Sequence, residues 1–106
     1  MVQIPDEVKL FVERVKHQFN PDAVLLFGSQ ATGKARVDSD YDILIVSEMF
    51  KGVKPHKRST QAYRLHDGLF ALEVVCLTPA EYADLKERPT IVREAARSGI
   101  ALYGAA

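Results

Sequence analysis

Val8, Phe11, Val12, Val15 and Phe19 recur at helical spacing behind Pro5 and Asp6, which predicts an amphipathic helix over residues 6–19 that Asn20-Pro21 ends. The next apolar segments follow a different rule. Residues 23–27 and 43–46 are apolar at every position, so neither has a wet face, and both read as interior strands covered by helices. The glycine-, lysine- and serine-containing stretch between them allows a turn and a short helix. A polar, basic segment over residues 48–58 contains Gly52 and Pro55 and reads as a mobile loop, with a helical stretch over residues 58–67 after it. Residues 69–77 predict a third strand. Thr78, Pro79 and Glu81 then supply a cap, a proline at the first helical position and a glutamate three residues after the cap, a strong helix start. Residues 91–97 predict a last helix stopped by Gly99, and residues 100–103 a short terminal strand.

At 106 residues and 47% hydrophobic content, residues 1–106 suit one domain around one core, with no room for a second catalytic domain. Basic and acidic residues number 14 each, so no global field draws in DNA, a long RNA or an acidic membrane. The single cysteine, Cys76, lies in an apolar run and reads as core in a reducing compartment. No apolar stretch approaches a membrane span, and Asp6 and Glu7 stand where a secretion signal would carry basic charge, so the expected location is the cytoplasm.

Candidate chemistry concentrates between the first two predicted strands. Asp40 and Asp42 are two apart at the mouth of the second strand and therefore share one face, while Tyr41 and Ile43 share the other. Glu73 is the one charged residue in the run LFALEVVCL, and a buried carboxylate needs a partner. A salt bridge to Arg64 or Lys86 would supply one. So would a shared ion: if the third strand lies beside the second, Glu73 converges with Asp40 and Asp42 on a hard cation such as Mg²⁺. Gly28, Gly33 and Lys34 also satisfy the phosphate-loop spacing, but Ala35 occupies the place where that loop needs a metal-binding hydroxyl. Ser29 is suited either to capping a helix or, with the Gly28 turn, to facing phosphate.

The pattern Gly28-Ser29, Gly33, Ala35-Arg36, Ser39-Asp40 and Asp42 resembles the signature of the minimal nucleotidyltransferases in the DNA polymerase beta-like superfamily, and the likeness extends to the first helix and the final segment REAARSGIALYG. The resemblance implies an α/β fold with a small mixed twisted sheet flanked by helices. It also implies that Gly28 and Ser29 contact phosphate, that Asp40 and Asp42 hold two Mg²⁺ ions, and that Glu73 is the third metal ligand. Two departures stand out: the family usually carries aspartate where Glu73 lies, and Tyr41 is bulkier than the aliphatic residue common between the two aspartates. The implied activity is transfer of AMP from ATP to a hydroxyl, with a HEPN-domain toxin as the partner and acceptor and this chain as its antitoxin; a homo-oligomer is compatible with that arrangement.

A catalytically silent nucleotide-binding antitoxin is the first alternative, and an enzyme acting on a free small-molecule hydroxyl is the second. Lys51, Lys54, Lys57 and Arg58 read as a solvated basic loop or as a contact for triphosphate or an acidic partner. His17, His56 and His66 share no metal-binding spacing, and Tyr63 and Tyr82 read as packing residues.

Overall fold

The structure is a computed structural model, which describes residues 3–36 and 39–104. Ten elements follow one another: helix α1 (Asp6–Phe19), strand β1 (Ala23–Phe27), the short helix α2 (Ser29–Thr32), β2 (Tyr41–Val46), a 3-10 turn (Glu48–Phe50), α3 (Pro55–Tyr63), β3 (Leu72–Leu77), α4 (Pro79–Leu85), α5 (Ile91–Ser98) and β4 (Ile100–Gly104). The strands form a mixed sheet in the order β3-β2-β1-β4, with β1 antiparallel to both of its neighbours and β2 parallel to β3. The small mixed sheet flanked by helices is the expected fold class.

Strands β1 and β2 are the two inner strands, which explains why they are apolar on both parities. One face, with Val24, Leu26, Ile43, Ile45, Val74 and Cys76, packs against Val8, Phe11, Val12, Val15 and Phe19 of α1 and Ala62 of α3. The opposite face, with Ala23, Leu25, Leu44 and Val46, packs against Tyr82 of α4 and Val92 and Ala95 of α5. Helix α1 ends where Asn20 turns left-handed at φ 43° and returns its N–H to Lys16. Ser47, fully buried, then ties that corner to the end of β2: its hydroxyl donates to the Phe19 carbonyl at 2.6 Å and accepts from the Met49 N–H at 3.1 Å. Cys76 is core, and burial pushes its thiol up to about 12. Among the described residues no helix is long and apolar enough to cross a membrane.

The polar segment differs from its expectation as a loop. It contains the 3-10 turn and the first residues of α3, because Pro55 occupies the opening turn of that helix, where its missing N–H costs no hydrogen bond. Arg58 is also corrected: it is 6% exposed and belongs to the interior. Its Nε donates to the Val53 carbonyl at 2.7 Å, and its Nη1 donates to the Cys76 carbonyl at 3.3 Å and to the Glu81 carboxylate at 2.5 Å. Glu81 meanwhile completes the expected capping box, accepting the Thr78 N–H while its own N–H donates to the Thr78 hydroxyl. One carboxylate thus starts α4 and neutralises a buried guanidinium.

Substituting Arg58→Met is expected to lower stability by about 3 kcal/mol, since it strips partners from the half-buried Glu81 and from two carbonyls. The Arg58 hydrogen bond holds the Glu81 carboxyl below its ordinary value of 4.5 despite an opposing effect of burial. Its contribution is therefore complete above that value and is lost as pH falls through the depressed folded value. Denaturant melts should show Glu81→Gln less stable than wild type at pH 7, with the gap closing below about pH 4.5.

Candidate active site

The register of the two parallel strands builds the site. Asp42 stands opposite Glu73 on β3 and opposite Phe27 on β1, so the two carboxylates are lateral neighbours on the α4/α5 face. Asp40 lies just before β2, two residues from Asp42, close enough that its charge acts on the Asp42 carboxyl. The strand entrance is held from several sides. The Tyr41 N–H donates to the Ala71 carbonyl at 2.8 Å, and the Gln30 amide of α2 donates to the Ser39 carbonyl at 3.0 Å. Ser39 is also bonded to Arg36, its N–H donating to the Arg36 carbonyl at 3.1 Å and its hydroxyl accepting the Arg36 N–H at 2.8 Å. Tyr41 points to the other face, where its ring meets Phe70 edge-on at 5.7 Å, and Phe70 in turn packs on His66 and Phe11. The bulk between the aspartates is thus an anchor for the strand.

Gly28 connects β1 to α2 with φ 73° and ψ −157°, and a Cβ at that position would run into the Asp42 carboxylate. The turn therefore needs glycine for both its backbone conformation and its closeness to Asp42. Ser29 follows as the first residue of α2, half-buried, with its carbonyl accepting the Lys34 N–H at 3.1 Å as Gly33 ends the helix in a left-handed conformation. The structure accordingly brings Gly28, Asp42 and Glu73 side by side, with Asp40 and Ser29 one step outside.

Glu73 corrects one expectation. It is exposed rather than buried, because β3 is an edge strand that begins at Leu72, short of the expected residue 69, and Glu73 is its second residue. Asp67 and Gly68 shape the preceding turn, where the Leu69 N–H donates to the Asp67 side chain. Among the described residues, the ion pairs join Arg14 to Asp67, Lys16 to Glu13, Arg58 to Glu81 and Arg88 to Asp84. None involves Asp40, Asp42 or Glu73, so the anticipated bridge from Arg64 or Lys86 does not form.

Burial raises the Asp42 carboxyl above its usual range, and the charges of Asp40 and then Glu73 raise it further. Phe27, Leu44 and Val75 supply the apolar surroundings on that face, sharing a seam with Ile91, Val92 and Ala95 of α5. A carboxylate that is partly desolvated and flanked by like charge is suited to receiving a cation. The oxygen donor set fits Mg²⁺, and the glycine turn comes close to the Asp42 carboxylate with no side chain of its own in between. Among the described residues, no group of three carboxylate, histidine or cysteine side chains already encloses a common point. Tyr63, read from the sequence as packing, was missed: its hydroxyl accepts the N–H of Val74, the residue after Glu73, at 3.1 Å.

Asp42 charges less readily in the folded chain than in the unfolded one, so at neutral pH its charge opposes folding, and the opposition fades as pH falls through the raised value. In chelator, Asp42→Asn is expected to raise the melting temperature at pH 7 by roughly 2–5 °C, an advantage that narrows in acid. Gly28→Ala is expected to lose about 1–3 kcal/mol in denaturant titration, through its positive φ and the collision with Asp42.

Residues 11–106 match the family described as polymerase beta, nucleotidyltransferase. Among solved structures, a nucleotidyltransferase-type protein from Sulfolobus solfataricus superposes with a TM-score of 0.70 at 23% identity, over 93% of this chain and 78% of that one. A toxin-antitoxin complex with AMP-PNP matches at 0.56 and 17% identity, over 95% of this chain and 75% of that one. BolA1 from Arabidopsis thaliana, at 0.57 and 26% identity, covers 74% of this chain and 98% of its own, so the strand and helix arrangement also occurs in a protein of another name. No curated protein matches the chain. The family match covers the carboxylate strand, the glycine turn and β3 together, and the chain belongs to the polymerase beta nucleotidyltransferase family.

Proposed function

We propose that this chain is a Mg²⁺-dependent nucleotidyltransferase that moves AMP from ATP onto a hydroxyl of a protein partner, a HEPN-type toxin for which it serves as antitoxin. The observation that carries the reading is the lateral pairing of Asp42 with Glu73 beside a glycine turn that crowds the same carboxylate. Asp40, Asp42 and Glu73 would hold two Mg²⁺ ions, and Gly28 and Ser29 would face the triphosphate. Bound there, the ions supply charge neutralisation on the phosphates and a lowered pKa at the attacking hydroxyl. The chain's own residues fix positions: Gly28 leaves space for phosphate, Asp42 and Glu73 set the distance between donor and acceptor, and Glu73, exposed at the sheet edge, faces the side from which an acceptor arrives. The acceptor oxygen forms a bond to the α-phosphorus as the bond to pyrophosphate breaks, and the hydroxyl proton leaves to solvent or to a carboxylate.

A protein acceptor is preferred over nucleic acid because the balanced charge offers no attraction to a phosphate backbone. Support for the toxin comes from the fold shared with a toxin-antitoxin complex bound to AMP-PNP. The silent-module alternative is favoured by one observation, the absence of a closed three-ligand cage among the described residues.

Titration calorimetry with ATP and Mg²⁺ should show binding that Asp42→Asn weakens by at least about tenfold, because one anionic ligand is lost with little change in size. Intact-mass spectrometry of the chain co-expressed with its genomic HEPN neighbour should show AMP added to that partner, and the addition should disappear with Asp42→Asn. A stable complex that stays unmodified would favour neutralisation by contact, and equal nucleotide affinity in both variants would defeat the metal site.

A further inference from the structure

Strand β3 has a sheet neighbour on one side only, and its outward backbone groups face α3. Val74 donates its N–H to the Tyr63 hydroxyl at 3.1 Å, and the Cys76 carbonyl, two residues on, accepts from Arg58 at 3.3 Å. Residues two apart on a strand present their backbone groups to the same side, so α3 takes two of the hydrogen-bonding positions that a further strand would take. Arg58 does so from the middle of the helix and Tyr63 from its last residue. The Tyr63 contact is the one beside the site, since Val74 is bonded to Glu73. Tyr63 is 38% exposed, and one bond from a partly open side chain into an edge strand is more than packing requires. The phenol also lies within the field of the carboxylates: burial raises its pKa, the Val74 N–H lowers it, and the charges of Glu73 and Asp40 add to the rise.

We propose that Tyr63 is a positioning residue of the transfer site: by accepting the Val74 N–H it holds the start of β3 in the register that sets Glu73 beside Asp42, and thereby sets the cation affinity of the carboxylate group. This rests on the metal-site reading given above. At the second position of an edge strand, the ladder to β2 restrains Glu73 from one side, and the Tyr63 bond to Val74 restrains the same stretch of strand from the other. Fixing that backbone lowers the entropy lost when its carboxylate closes on an ion.

The test uses the full chain, with Mn²⁺ alone as the probe, in wild type, Tyr63→Phe, Glu73→Gln and the double variant. Tyr63→Phe removes only the hydroxyl oxygen, and a thermal melt monitors its fold. Electron paramagnetic resonance titration should show Mn²⁺ affinity weakened about three- to tenfold by Tyr63→Phe, at or below what groups that orient metal ligands usually contribute. In the Glu73→Gln background the same change should have no further effect, because the hydroxyl acts through that carboxylate. The Val74 amide should also exchange with solvent faster in Tyr63→Phe than in wild type, a readout independent of activity. Wild-type Mn²⁺ affinity in Tyr63→Phe alongside a weakened Glu73→Gln would overturn the positioning role and leave the metal site standing. So would full additivity in the double variant. Mn²⁺ binding indifferent to Glu73→Gln and to Asp42→Asn alike would remove the metal site, and the positioning role with it.

Discussion

Parallel pairing of β2 with β3 depends on the chain that leaves the sheet at Val46 coming back to the end at which β2 began, and Arg58 holds the first part of that crossover in place. Its guanidinium bonds to the loop before α3, to the backbone of β3 and to the first turn of α4, three segments that otherwise meet through apolar contacts. A hydrocarbon side chain would fill the space but would leave these polar groups without partners. The register that follows places every even position of β2 beside an odd position of β3, and the first such pair inside both strands is Asp42 with Glu73. The site is thus a consequence of the parallel register.

The carboxylate face and the ion-paired acids of the molecule obey opposite rules. Several acids elsewhere are matched, as Glu81 is by Arg58 and Asp67 by Arg14. On the α4/α5 face at the opening of β2, one partly desolvated carboxyl sits between two like charges, with no cationic partner among the described residues. A chain selected only for stability would replace one of the three. Retaining them concentrates negative potential where a cation and a triphosphate would meet, the usual trade of stability for a reactive site.

Much of this was legible from residue order, and the failures have physical causes. Helix α1 and strand β1 match their expected bounds because a helical stripe and a fully apolar run are strong local signals. The shared face of Asp40 and Asp42 was read from strand periodicity, whereas Asp40 lies just outside β2, which begins at Tyr41. Glu73 was expected to be buried because its neighbours are apolar, but hydrophobicity along a strand does not reveal whether that strand lies at the edge of its sheet or where pairing begins. Pro55 was read as a breaker although the same residue opens a helix when no donor is needed from it. Arg58 looked like one more basic residue in a charged segment; its partner Glu81 lies 23 residues away, beyond any local pattern. Tyr63 left no signal, since its role is a single bond to a backbone amide of another element.

The two borders of the sheet bear on how the protein behaves at high concentration. Helix α3 takes up two backbone groups of one border, the Val74 N–H and the Cys76 carbonyl, while on the other the register between β1 and β4 shifts at Val24/Leu25, a bulge that bends the final strand out of line. A straight border with free amides is a template on which further chains stack into fibrils. With one side partly covered by a helix and the other kinked, both borders are poor templates for adding a further strand.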